Sequence, residues 1–140
     1  MATYFEEIIK SSEANCQIFD ITEDIEEIIE KSKIKNGIVT AFAIGSTAGI
    51  TTLEYEPGLI KDLPILLEKI IPTYQNYNHN KTWGDGNGHS HLRSALIKTS
   101  LTIPLVNSEM TLGTWQQIIF IDFDNKHRTR RIAIQIMGEV

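Results

Sequence analysis

The chain has 140 residues, 41% of them hydrophobic and 22% charged, and a formal net charge of −5. Those values predict one soluble domain with a single core. They exclude a membrane-spanning helix, because no apolar run approaches the roughly 20 residues a span requires. Basic residues are scattered apart from Lys126–Arg131, so the broad positive surface of a nucleic-acid-binding protein is missing and no nucleic-acid partner is expected. That one cluster reads as a solvated turn and charged strand edge, with a phosphate contact as the alternative.

The opening residues Met1–Glu7 carry no basic segment followed by an apolar one, so they do not read as a secretory signal. The single cysteine, Cys16, has no partner for an internal disulfide. Both features predict a cytoplasmic protein with a buried, inert thiol in a strand.

In chain order, Phe5, Ile8, Cys16 and Ile18 alternate loosely with polar residues, as half-buried strands do. Thr22 is a good helix N-cap, Ile25, Ile28 and Ile29 form one apolar stripe, and Asn36-Gly37 stops the helix. Ile38–Ile44 suits a buried strand, Gly45–Gly49 interrupts it, and Ile50–Glu56 is again extended. Pro57 fits the first position of a second helix that ends at Pro72, with Pro64 predicting a bend or a later start. Residues 73–88 have no period, and an irregular stretch of that length is usually functional. A short helix over about 91–98 follows. Leu101–Val106, Thr114–Phe123 and Arg131–Met137 read as three strands of an antiparallel meander. The mixture predicts an α+β fold, a largely antiparallel sheet sandwich with two to three helices.

Three of the four histidines, His79, His89 and His91, lie within thirteen residues. Neutral imidazole is the commonest transition-metal ligand, so zinc or magnesium binding is one expectation; proton donation, phosphate contact or a structural loop are the others. If residues 89–91 are extended, His89 and His91 share a face. Asp85 and Asn87 are candidates for a fourth ligand or for holding an imidazole in one tautomer. Ser46 and Thr47, between two glycines, suit an anion, with a β-bulge as the alternative. Arg93 and Ser94 stand at a helix start, where an arginine can pair with phosphate or carboxylate. Glu54 and Glu56 share one face of the expected strand, and either could serve as a base or a ligand. Trp115 and Gln116, in Leu112–Gln117, are candidates for substrate contact or for the core.

The runs Gly86–Ser94, Ser100–Pro104 and Leu112-Gly-Thr-Trp-Gln-Gln117, with the closing Gly138-Glu139, resemble the YjbQ-like proteins over nearly the whole chain. That resemblance implies a trimeric α+β domain with sites near subunit boundaries and, in some members, a bound metal. It also implies a secondary thiamine-phosphate synthase activity: joining a pyrimidine diphosphate to a thiazole phosphate with loss of pyrophosphate. Many members place histidine where this chain has Gly45 and Phe123, so their three-histidine site is not available here. His91 matches the shared one, and His79 and His89 are the candidate replacements.

The expectation is an enzyme acting on small phosphorylated metabolites. Ser46, Thr47, Asn87, Ser94, Trp115 and Gln116 would bind substrate, His91, His89, Arg93 and Glu54 would carry the chemistry, and His79, His89 and His91 would hold a divalent metal. The alternative is a non-catalytic trimeric protein that binds a metal or an anionic metabolite.

Overall fold

The computed structural model describes residues 1–140. The chain folds as β1 (Ala2–Ser12), β2 (Gln17–Asp20), α1 (Thr22–Ser32), β3 (Asn36–Ile44), β4 (Ala48–Leu53), α2 (Pro57–Ile70), α3 (Asn78–Trp83), α4 (Gly88–Ile97), β5 (Ser100–Val106), β6 (Glu109–Met110), β7 (Gln117–Asp122) and β8 (Arg128–Glu139). The class is α+β, as expected, with four helices rather than two or three. Every strand pair is antiparallel, in a five-stranded sheet ordered β1-β8-β3-β5-β6 and a three-stranded sheet ordered β2-β7-β4.

The fully apolar run in β7 explains the layering. Successive strand residues point to opposite faces, and β7 is buried on both. Ile118 and Phe120 pack into the main core with Val39, Ala41, Ile132, Ile134 and Ile136 of the large sheet and Ile25, Ile28 and Ile29 of α1. Ile119, Ile121 and Phe123 face the other way, against Leu67 of α2 and Ile97 of α4. The small sheet is therefore the middle layer, between the large sheet and two helices.

Three sequence expectations are corrected. β5, β7 and β8 do not form a meander: β5 and β8 flank β3 in the large sheet, while β7 sits centrally in the small one. β7 pairs with β2 and β4 in the small sheet, while β5 and β8 bury their apolar residues in the one main core. The extended segment ends at Leu53, and Glu56 caps α2 by accepting hydrogen bonds from the Gly58 and Leu59 N–H groups. Pro57 stands at the helix start as expected, and Pro64 is carried inside a continuous α2. Thr22 lies inside α1, where its hydroxyl accepts from the Ile118 N–H and ties the helix to β7 instead of capping it.

Candidate functional site

The segment expected to be irregular holds α3, and α4 begins at Gly88, earlier than its sequence period suggests. Gly88 is what lets the two helices meet: a Cβ there would stand 2.7 Å from the Cβ of Tyr77, closer than real side chains come. The Asn80 side chain accepts from the Gly88 N–H at 2.9 Å and fastens the junction. With the helices this close, the rings of His79 and His91 lie 4.4 Å apart, tilted by 52°. His91 lines two clefts. One, of about 340 Å³, includes Gly45, Ser46, Ala95, Lys98 and Thr99. The other, of about 520 Å³, lies between Gln75–His79 and the start of α4.

Behind the histidines runs a chain of buried charge. Arg130, on β8, grips both carboxylate oxygens of Asp122 at 2.7 and 2.8 Å and donates to Thr47 Oγ1 at 2.7 Å. Thr47 in turn donates to Asp124 at 3.2 Å. Arg128 pairs with the same Asp124 oxygen, and the Asn87 amide donates to its other oxygen at 3.3 Å. Asn87 Oδ1 then meets His79 Nε2 at 3.0 Å. Burial alone would raise both aspartates, but hydrogen bonds from Arg130 to Asp122, and from the Asn125 N–H, Arg128 and Asn87 to Asp124, outweigh it and hold both carboxyls below their ordinary range. His91 is pushed down by burial and then by His79 beside it, which keeps its imidazole neutral near pH 7.

The remaining expected site residues separate into distinct environments. His89 points into the protein: residues two apart on a helix are about 200° around it, so His89 and His91 cannot share a face. It is 3% exposed, its Nδ1 has no partner, and burial lowers its affinity for a proton. No three histidine, cysteine, aspartate or glutamate side chains converge as a metal ligand set; the trio His79, His89 and His91 does not fit a zinc or magnesium ion in this chain.

Arg93 is also not an anion contact. Its guanidinium is buried and donates to Glu68 at 2.8 Å, to the Ile71 carbonyl and to Cys16 Sγ. Cys16 lies just before β2 rather than in a strand, and burial raises its thiol, in keeping with an inert group. Ser94 donates to the Ala48 carbonyl at 2.6 Å, which fixes α4 on β4. Thr47 is a link in the charge chain, while Ser46 remains exposed in the smaller cleft. Glu54 is exposed beyond the end of β4 and lines neither histidine cleft. Trp115 is 72% exposed, and Gln116 lines a separate cavity with Thr22 and Glu26 of α1. These two precede β7, whereas Asp122 ends it, and six strand residues span about 20 Å. Within one chain, the tryptophan and the histidines belong to different surfaces.

Residues 6–139 match the family model described as UPF0047 protein YjbQ-like. The chain belongs to the YjbQ/UPF0047 family. The YjbQ-family relatives include a UPF0047 protein of Methanothermobacter thermautotrophicus, 37% identical over 99% of this chain and 95% of its own length. Among solved structures, a YbjQ-like protein of unknown function from Sulfolobus solfataricus superposes with a TM-score of 0.94 at 33% identity, covering 99% of both chains. A hypothetical protein from Aeropyrum pernix gives 0.91 at 29% identity, over 97% of this chain and 99% of its own.

Sequence reasoning missed four site residues of this YjbQ-family chain: Asp122, Asp124, Arg128 and Arg130. The signal was present in Ile121-Asp-Phe-Asp124, where two acids alternate with large apolar residues at the end of a buried strand. Charges in such a position must be paired, and the nearest cations are in the basic cluster read as a solvated turn. Arg130 is 6% exposed and belongs to the interior.

Proposed function

We propose that the His79/His91 cleft is the active site of a thiamine-phosphate synthase-like transferase acting on small phosphorylated substrates. The observation that carries this reading is His91 itself, a neutral, half-buried imidazole that faces two clefts and packs against a second histidine. Two halves of a product need two adjoining compartments, and a residue common to both is placed to act where they meet.

In the reaction implied by the family resemblance, pyrophosphate leaves a pyrimidine methylene carbon as the thiazole nitrogen attacks that carbon. The leaving group gathers negative charge, which hydrogen-bond donors and cations stabilise. Here Ser46 and Lys98 line the smaller cleft beside His91, a hydroxyl and an ammonium suited to phosphate oxygens. The buried aspartates are neutralised by Arg128 and Arg130, which limits their repulsion of an anionic substrate. Arg93 has no part in this, because its donors are already used.

We also propose that the chain works as a homotrimer. The outer face of the large sheet leaves Phe5, Ile9, Ile38, Phe42, Val106 and Met137 exposed, and an apolar face of this kind fits burial against another copy.

Incubation of the purified protein with both thiamine precursors and magnesium, as the counter-ion of the diphosphate, tests the catalytic reading. Thiamine phosphate is expected, with a loss of about 10²–10³-fold in His91→Ala, the range for removing one hydrogen-bond donor to the charge developing on the leaving group. Product formation unchanged in that variant contradicts the assignment. Saturable binding of the phosphorylated precursors without product would support a metabolite-binding protein instead.

A further inference from the structure

We infer that Asn87, oriented by Asp124, holds His79 as its Nε2–H tautomer and thereby makes His79 Nδ1 the proton acceptor of the cleft. The inference rests on the proposed function only for what Nδ1 meets; the tautomer itself follows from hydrogen-bond chemistry. Asp124 is fully buried and ionised, paired with Arg128, so both its oxygens can only accept. The Asn87 atom 3.3 Å from it must therefore be the amide nitrogen. That choice turns Asn87 Oδ1 toward His79, and a carbonyl oxygen at 3.0 Å from Nε2 requires a hydrogen on Nε2.

Asp85 Oδ1, 3.6 Å from the same nitrogen and beyond hydrogen-bond length, adds negative charge on that side without fixing the proton. His79 Nε2 thus lies between two oxygens, and the neutral ring keeps its lone pair on Nδ1. That atom makes no hydrogen bond within the chain and is not among the solvent-shielded unpartnered atoms. His79 lines the larger cleft, where His91 also sits.

The arrangement is a hydrogen-bonded series with an amide in its middle. When Nδ1 takes a proton from an O–H or N–H of a bound ligand, the ring becomes imidazolium and its Nε2–H stays in place. The new positive charge is met by Asn87 Oδ1 and by the carboxylates of Asp85 and, through the amide, Asp124; Arg128 and His91 are the opposing neighbours. Asn87 is a positioning residue, acting through His79. It is 4% exposed and immediately precedes α4, so its place is fixed by the fold.

Long-range ¹H–¹⁵N spectra of the histidine rings read the tautomer directly, at a pH where the rings are neutral, with His79→Gln assigning the signals. The wild-type protein is expected to show a pyrrole-type Nε2 and a pyridine-type Nδ1. The preference should be roughly tenfold beyond that of a short unstructured histidine peptide, the factor one ordinary hydrogen bond supplies. Asn87→Ala should return His79 to the peptide mixture, and Asp85→Ala, at an exposed loop position, should leave the preference intact. An Nδ1–H tautomer, or peptide-like averaging, in the wild-type protein overturns the inference, whether or not the alanine variant folds. So does loss of the preference in Asp85→Ala alone. Because none of these readouts involves turnover, their outcome is separate from that of the catalytic reading.

Discussion

Arg130 makes three short contacts to Asp122 and Thr47 from a position almost without solvent. Removing the carboxylate would leave the buried guanidinium with Asp124, 3.8 Å away, as its one remaining counter-charge, and breaking a buried pair costs about 3–5 kcal/mol. Asp122→Asn is therefore expected to lower the urea midpoint by that equivalent, and a loss below about 1 kcal/mol would show the pair to be better solvated than its burial implies. Backbone strain offers the opposite sign. Lys33 ends α1 at φ 62°, and Lys98 ends α4 at φ 83°, ψ 161°, a region occupied almost only by glycine. Lys33→Gly should stabilise by about 0.5–1 kcal/mol and Lys98→Gly by about 1–3 kcal/mol, seen as raised midpoints with unchanged m-values. At this scale the sequence was informative about which residue types mattered and misleading about their partners. His79, His91 and Asn87 were visible as a cluster. Arg93 was not separable from a ligand contact, because its acceptors come from α2, Ile71 and Cys16, far away in the chain.

The placement of α4 decides which histidines meet. Reading residues 89–91 as extended put His89 with His91, whereas the helix begins at Gly88 and turns His89 inward. The start was hard to read because Asn87 makes no side-chain cap of its own; its amide is engaged by His79 and Asp124 instead. The helix is held to the small sheet at Gly49, where an added Cβ would meet Ile97, the Lys98 carbonyl and Phe123 at 3.0–3.1 Å. It is held to α3 at Gly88. Gly88→Ala forces Tyr77 aside and is expected to separate the two rings, costing about 1–3 kcal/mol as an overpacked contact does. Loss of stability without loss of any His79–His91 nuclear Overhauser contact would show that the glycine is not what sets their distance. Strands were easier to read than this helix, since period-two burial in β5 and β8 follows directly from one solvated and one core face; β3, expected to be buried, instead exposes Ile38 and Phe42 on the outer face of its sheet.

For the molecule as a whole, the same proton chemistry sets the response to pH. His89 and His91 have folded proton affinities below the ordinary histidine value, so the unfolded chain takes up protons first as pH falls past about 6.5. Asp122 and Asp124 are likewise depressed, and their contribution is complete above about pH 4 and disappears as pH falls through their folded values. Both terms have one sign: the thermal midpoint should drop in two stages on acidification, and a midpoint flat from pH 7 to 4 would contradict the buried, neutral histidines. The exposed apolar face of the large sheet makes a further prediction. Phe42→Glu should shift the mass measured by light scattering from three chains to one; a monomeric wild-type protein would remove the trimer proposal.

The layering of the fold was only half legible, since a sequence shows the apolar run Ile118–Ile121 of β7 but not that the small sheet lies between the large one and the helices. The four histidines report on the site directly. Pyrophosphate titrated into the ¹⁵N-labelled protein is expected to move the ring signals of His79 and His91 saturably and together, while those of His127, 72% exposed at its side chain and paired with Glu13, stay in place. Shifts confined to His127, or no saturable change at His91 and the His79 ring packed against it, would contradict the placement of the phosphate-binding cleft beside His91, at Ser46 and Lys98.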